Sequence, residues 1–283
     1  MSSGIASRPV PVFLCGVLAA AAASPAFAQS SSPAQALLDD SFVVSLGIFV
    51  LQTDVKARLN GQSVTNPDVD FDQTFGKPSD ATRVRADALW RITPTHHLRF
   101  MYFDNSQTRS RQLANDVTWG DYTFQAGSSV EAKTQYKINE LVYEYAFMRQ
   151  PTYEVAGTFG IHYTDVSLRL TGNAIVNGVP VTASSKEGSA PMPLPVIGLR
   201  AGWVVAPQWY VDTMGQFFKV NVNGVNGSVS DLRVGGTYMF NRNFGLGLGY
   251  NRFITSIDVS KTSFDGRLRF GYSGLQAYLT GAF

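Results

Sequence analysis

The chain has 283 residues, of which 45% are hydrophobic and 12% aromatic, while only 16% are charged and the formal net charge is +2. So small a charge excludes the basic field that nucleic-acid binding requires. A mean hydropathy near zero, with no apolar run of the roughly 18 residues a spanning helix needs beyond the first thirty positions, excludes a helical membrane protein but leaves a secreted β protein open.

The first 28 residues form a leader. Arg8 is their only charge, an apolar run follows from Val10 to Ala23, and Ala26, Phe27 and Ala28 supply the small-residue pattern of a cleavage site. This reads as a secretory signal peptide cut after Ala28, because the run is shorter than the roughly 20 residues of a membrane anchor. Cys15 is the only cysteine, and Phe13 and Leu14 before it are too large for a lipoprotein box. The mature chain therefore has no thiol and no disulfide. Residues 29–40 are expected to be a short periplasmic segment, and 41–283 one β domain.

From residue 41 onward the apolar residues recur at every second place. In FGLGLGY, Phe244, Leu246, Leu248 and Tyr250 share one face; in LRVGGTYMF, Leu232, Val234, Gly236, Tyr238 and Phe240 share another; Tyr153 to Tyr163 repeats the scheme. This is strand periodicity, sustained longer than in most globular strands. Short turns at 93–95, 150–152, 206–208 and 241–243 alternate with polar, glycine-rich connections near 60–80, 111–130, 173–190, 223–228 and 258–265. Ten strands are predicted, near 42–58, 81–92, 97–110, 131–148, 153–171, 191–205, 209–222, 229–240, 244–257 and 266–283, with a hairpin within Val117–Val130 standing above the main body.

An even strand count with short turns at one end and long loops at the other describes a transmembrane, antiparallel, up-and-down β-barrel of about ten strands, eight being the alternative count. Backbone groups in lipid must pair internally, so such a sheet has to close. The faces 84, 86, 88, 90, 92 and 141, 143, 145, 147 carry no charge and are assigned outward. Aromatic residues gather beside the short turns (Trp90, Phe147, Tyr153, Trp203, Trp209, Phe240, Phe244, Phe283) and again at Tyr102, Tyr163, Phe217 and Tyr250. At ~3.3 Å per residue and a ~40° tilt the two bands lie about 20–30 Å apart, which matches the girdles of a membrane barrel. A soluble β-sandwich would bury those rings and has no need of two bands.

The final stretch, GLQAYLTGAF, places Leu275, Ala277, Leu279, Gly281 and Phe283 on one face. It resembles the C-terminal β-signal read by the barrel-assembly machinery of outer membranes, departing from it at Gly281, where that pattern prefers an aromatic. More widely, DFDQTFGKPSDATRVRADALWRITPTHHLRF, PLPVIGLRAGWVVAP and GLGYNRF with YSGLQAYLTGAF are similar to a family of uncharacterised proteobacterial outer-membrane β-barrel proteins. The resemblance implies a fold and an outer-membrane location in a Gram-negative cell, and carries no activity.

With the outward faces assigned, parity sends Arg83, Arg85, Asp87, Arg91, Arg99, Glu140, Glu144, Glu154, His162, Arg200, Asp212 and Arg233 inward. Six arginines thus oppose five carboxylates. Arg99 and Glu144 are expected at similar heights on adjacent strands, as are Arg200 and Asp212. The favoured reading is a ladder of internal ion pairs in a side-chain-filled barrel; the alternative is a charged constriction in a narrow pore, with glycines 245, 247 and 249 leaving room for it.

A hydrolase is the third reading. The chain has three histidines; His96 and His97 sit at a short turn, whereas His162 is expected opposite Glu140, a carboxylate–imidazole pair of the kind that orients a general base. Its nucleophile would have to be Ser184, Ser185 or Ser189, with no surrounding motif, so no catalytic residue and no enzymatic activity are assigned. Asp68, Asp70 and Asp72 begin like a calcium loop, but Gln73 and Ser79 stand where such a loop needs Gly and Glu. No cofactor is expected. The expected partners are outer-membrane lipid and lipopolysaccharide, with Arg109 and Arg111 as candidate phosphate contacts, and the barrel is expected to be a monomer.

Overall fold

The computed structural model describes residues 32–61, 69–75, 81–222, 225–261 and 264–283. Ten long strands carry the architecture: β1 (Phe42–Gly61), β2 (Ala81–Arg91), β3 (His96–Gln112), β4 (Ser129–Gln150), β5 (Tyr153–Val176), β6 (Val179–Ala206), β7 (Trp209–Val222), β8 (Val225–Met239), β9 (Phe244–Lys261) and β10 (Phe264–Ala282). Each pairs antiparallel with its sequence neighbour. β10 returns to β1 from Val43↔Ala282 up to Arg58↔Arg267. The result is a closed ten-stranded barrel. At the junction Phe42 and Phe283 exchange backbone bonds of 2.9 Å in both directions.

The alternation seen in the sequence becomes an apolar belt. Val44, Leu46, Ile48 and Val50 on β1, Leu141 on β4, Leu246 and Leu248 on β9, and Leu275 and Leu279 on β10 all stand exposed, Leu248 and Leu275 at 67%. A water-soluble barrel would not leave such a continuous surface bare. Above it six of the strands turn polar, at Gln52, Asp104, Lys137, Asp165, Lys219 and Arg252. From Phe42 to Val50 the belt spans about 20 Å of height.

The loop end departs from the expected long loops. Much of 173–190 is strand, and β5 runs into β6 through a two-residue turn at Asn177 and Gly178, with φ of 50° and 81°. Both residues are left-handed, the conformation Asn-Gly adopts most readily in a tight hairpin. The anticipated hairpin is Val117–Trp119 with Tyr122–Phe124, and it adds to β5 at Ala174–Val176, beyond the last rung of β4. Lys186 lies 4.9 Å above the Tyr122 ring. Leu113, Val117 and Phe124, together with Phe75 of a short helix (Phe71–Phe75), join the hydrophobic core at the barrel mouth.

One seam interrupts the wall. β6 and β7 pair only as far as Ile197↔Phe217, although β6 stays paired to β5 up to its tip. The amide of Val204 bonds to Thr152 O at 2.7 Å, so even-numbered β6 amides face β5 and odd-numbered ones face β7. Pro191, Pro193 and Pro195 occupy the odd places just above Ile197. Proline has no N–H, so the rungs to Lys219 and Asn221 lack their β6 donor and the ladder stops. The same prolines blunt a free strand edge that would otherwise invite pairing with another chain.

Candidate functional site in the barrel interior

The turn end is closed by the segment ahead of β1. A short helical stretch, Pro33–Gln35 continuing into Ala36–Asp39, lies across the bore with Ala34, Ala36, Leu37 and Leu38 buried against Tyr210, Met239 and Ala282. Too short to be stable alone, it is pinned by the barrel. Arg91 donates to the carbonyls of Asp40 (2.8 Å) and Leu37 (2.6 Å), using the carbonyls a helix C-terminus leaves unpaired. Arg149 reaches Leu38 O and Asp39, Arg242 reaches Asp40, Gln35 donates to Pro151 O, and Ala34 N donates to Pro207 O. From Ser32 onward the segment ahead of β1 is thus packed into the turn end of the barrel as a stopper. Arg91, expected among the lumenal charges, belongs to it.

Above the stopper lies a cavity of about 100 Å³ that touches Leu37, Arg99, Arg200, Asp212 and Tyr278. Two ion networks roof it. In the first, Glu144 accepts from Arg99 Nε at 2.6 Å and from Arg200 Nε at 2.8 Å, while Arg200 also binds Glu154 and the Tyr210 hydroxyl. His97, buried at the same level, has Nδ1 3.7 Å from Glu144. In the second, Arg85 holds Asp87 (2.9 Å) and Asn251 (3.0 Å), and Arg233 holds Glu140 and Asp231. Arg233 Nη1 stands 3.9 Å from Asp87, which links the two halves of the second network. Glu144 and Glu140 each join arginines from other strands, so the buried charges of these two networks have opposite charges beside them.

Of the expected lumenal residues, Arg83 sits higher and donates to Asn105 at 2.7 Å and to Ser106 O. Arg99 and Glu144 meet, although the register sets Arg99 opposite Val142; the side chain reaches Glu144 diagonally. Arg200 and Asp212 do not meet as an ion pair. The register sets Arg200 opposite Met214 and Asp212 opposite Gly202, and Arg200 is taken by Glu144 and Glu154 instead. Among the described residues Asp212 has no ion-pair partner and faces the cavity. Asp231, Asn251, Gln216 and His97 were missed by the sequence reading. Parity from Arg233 finds Asp231, but nothing in a sequence tells which of many inward polar residues will touch.

The glycines do not open a passage. A Cβ on Gly247 would lie 2.2 Å from the Tyr278 ring, and one on Gly245 would lie 2.6 Å from the Met239 sulfur, so larger neighbours already fill the space these residues leave. Higher up, Phe49, Phe103, Tyr136, Phe253, Phe270 and Tyr272 make a continuous aromatic plug with centroid separations of 4.4 to 6.5 Å.

Glu140 and His162 are direct cross-strand partners. His162 stacks on Phe253 and lies 3.0 Å from Gln216 Oε1 and 3.5 Å from Glu140. Ser184, Ser185 and Ser189 pair with Gly172, Thr171 and Ser167 of β5. The nearest rung is five residues from His162, about 16 Å along a strand. The three serines are therefore out of reach, and the catalytic arrangement is not assembled. Glu140, His162 and Asp231 place ligand-type atoms within 4.8 Å of one another, but Arg233 already supplies the positive charge between the two carboxylates.

Of the aspartates that begin like a calcium loop, Asp68 lies outside the described residues; the backbone of Asp70 closes a two-residue strand paired to β1, and Asp72 falls in the short helix. Arg109 is buried inside the barrel beside Gln107 (3.1 Å), which removes it as an outward phosphate contact, while Arg111 is exposed and reaches Gln73 O at 3.4 Å.

Closed topology, outward apolar belt and paired interior charges define an outer-membrane β-barrel fold. No protein-family model matches the chain, and no curated protein matches it in sequence. The outer-membrane protease OmpT of Escherichia coli is similar in structure, with a TM-score of 0.57 at 13% identity over 87% of this chain and 97% of that one. The translocator domain of the autotransporter NalP from Neisseria meningitidis gives a TM-score of 0.44 at 9% identity over 86% of this chain and 91% of that one, and the Pseudomonas putida toluene transporter TodX 0.37 at 9% over 90% and 93%. At these identities the likeness is one of fold.

Proposed function

We propose that this chain is an integral outer-membrane protein with a sealed barrel, acting as a structural or surface-binding element rather than as a pore or an enzyme. The observation that carries this reading is the filling of the bore at successive heights: the pinned stopper, the two ion networks, the aromatic plug and the covered mouth. A conducting barrel needs a continuous water path, and every one of these layers obstructs it. The sheet of β4, β5 and β6, lengthened by the 117–124 hairpin, then offers the surface on which binding would occur. Insertion is assigned to the barrel-assembly machinery through Leu275, Ala277, Leu279, Gly281 and Phe283. No catalytic step is included, because the three candidate serines lie out of reach of His162.

The test is ion conductance of the folded protein in a planar bilayer, with folding verified by heat-dependent gel mobility. We expect wild type to be silent. Discrete openings that change in Arg85→Ala or Arg99→Ala would replace this reading with that of a narrow pore.

A further inference from the structure

We propose that the outer wall across β9, β10 and β1 carries a binding site for the phosphorylated headgroup of an outer-leaflet lipid. Three observations combine there. The first is shape: a groove of about 370 Å³ runs over β10, walled by Gln52 and Asp54 on one side and Arg252 and Ile254 on the other, with Gly271 and Ser273 along its floor. The register makes this a single patch, since Asp54 and Ile254 both pair with Gly271, and Gln52 and Arg252 both pair with Ser273. With no side chain on Gly271, the wall is recessed between its neighbours.

The second is charge. Arg252 and Arg269 are both exposed, and among the described residues neither has a hydrogen-bond or ion-pair partner. Guanidinium forks match phosphate oxygens in pairs, while Gln52 and Ser273 add a neutral amide and a hydroxyl. Asp54 is the one carboxylate in the lining and opposes an anion.

The third is height. Gln52, Arg252 and Ser273 are the first outward residues beyond Val50, Tyr250 and Leu275, where the apolar belt ends. Acyl chains packed on that belt carry their phosphates to this level. A free phosphate would gain the charge contacts but not the apolar contacts below, which is why a lipid is the occupant assigned.

The site takes its membrane setting from the proposed function but is tested without a bilayer, so a conductance result and a binding result fail independently. The probe is diphosphoryl lipid A, titrated against the purified full chain in detergent by native mass spectrometry. Fully dephosphorylated lipid A and inorganic pyrophosphate serve as controls. We expect Arg252→Ala with Arg269→Ala to weaken lipid A binding by about tenfold or more, the effect of losing roughly one charge-assisted contact. Asp54→Asn should tighten it. Should the double variant not fold, the single Arg252→Gln and Arg269→Gln variants carry the same comparison. Equal binding by wild type and variants, or equal binding of the dephosphorylated lipid, overturns the proposal. Pyrophosphate binding as tightly as lipid A overturns the assignment to a lipid.

Discussion

Glu144 uses both carboxylate oxygens on arginines from different strands, and it is fully buried. Removing it leaves Arg99 without a carboxylate and Arg200 with Glu154 alone, so Glu144→Ala should destabilise the barrel by about 3 kcal/mol, as read from urea unfolding in detergent. A double-mutant cycle between Arg99 and Glu144 should return a coupling of about 1 kcal/mol or more. A coupling near zero would mean that Arg200 alone holds the carboxylate. Which residues face inward was readable from parity, because a strand alternates strictly. Which of them pair was not. Arg99 and Arg200 each sit two residues off the expected partner's rung, and long side chains cover that offset only where no nearer carboxylate competes. Arg99 reached Glu144; Arg200 found Glu144 and Glu154 before Asp212.

Elements fail or succeed through their backbone donors. The β6–β7 seam begins where Pro195 and Pro193 remove the two amides that would bond to Lys219 and Asn221. Replacing both prolines with valine should extend the ladder and slow hydrogen exchange at the Lys219 and Asn221 amides by roughly fivefold, since one added bond is worth about 1 kcal/mol. Unchanged exchange there would show that the strands diverge for another reason. The alternating prolines are visible in the sequence, but the polar, glycine-rich composition of 173–190 puts the expected start of the strand at 191 and hides the Asn177–Gly178 signal that carries β5 into β6. The Ser32–Asp40 stopper had no periodicity to betray it; its helix exists because Arg91, Arg149 and Arg242 of the barrel hold its carbonyls and carboxylates.

At the scale of the molecule, closure depends on the last strand finding the first. Phe283 completes the ladder with Phe42, packs edge-on against Phe244 at 6.0 Å, and lays its ring over Gly281, where an added Cβ would come 2.9 Å from it. The glycine that departs from the β-signal pattern thus makes room for the terminal ring. Deleting Phe283 should lower the fraction of chains assembled in membranes severalfold, while Phe283→Tyr should assemble nearly as wild type; equal insertion of all three forms would remove the assembly role from this residue. Closure also explains why the interior is so heavily paired. A ten-stranded ring is narrow enough for side chains from opposite walls to touch, and a charge that cannot reach water there needs a partner.

By itself the sequence determined the strand count, the parity of the membrane-level faces, the belt and the sign of the interior charges, since these follow from a period of two and from the residue types at alternate places. The tertiary structure alone decided which groups meet inside the bore. That outcome rests on contacts between residues far apart in the chain: Leu37 against Tyr210, Gly247 against Tyr278, Arg233 between Glu140 and Asp231. No local pattern records such distances, because they are set by the ring's closure and by which long side chains reach across it first.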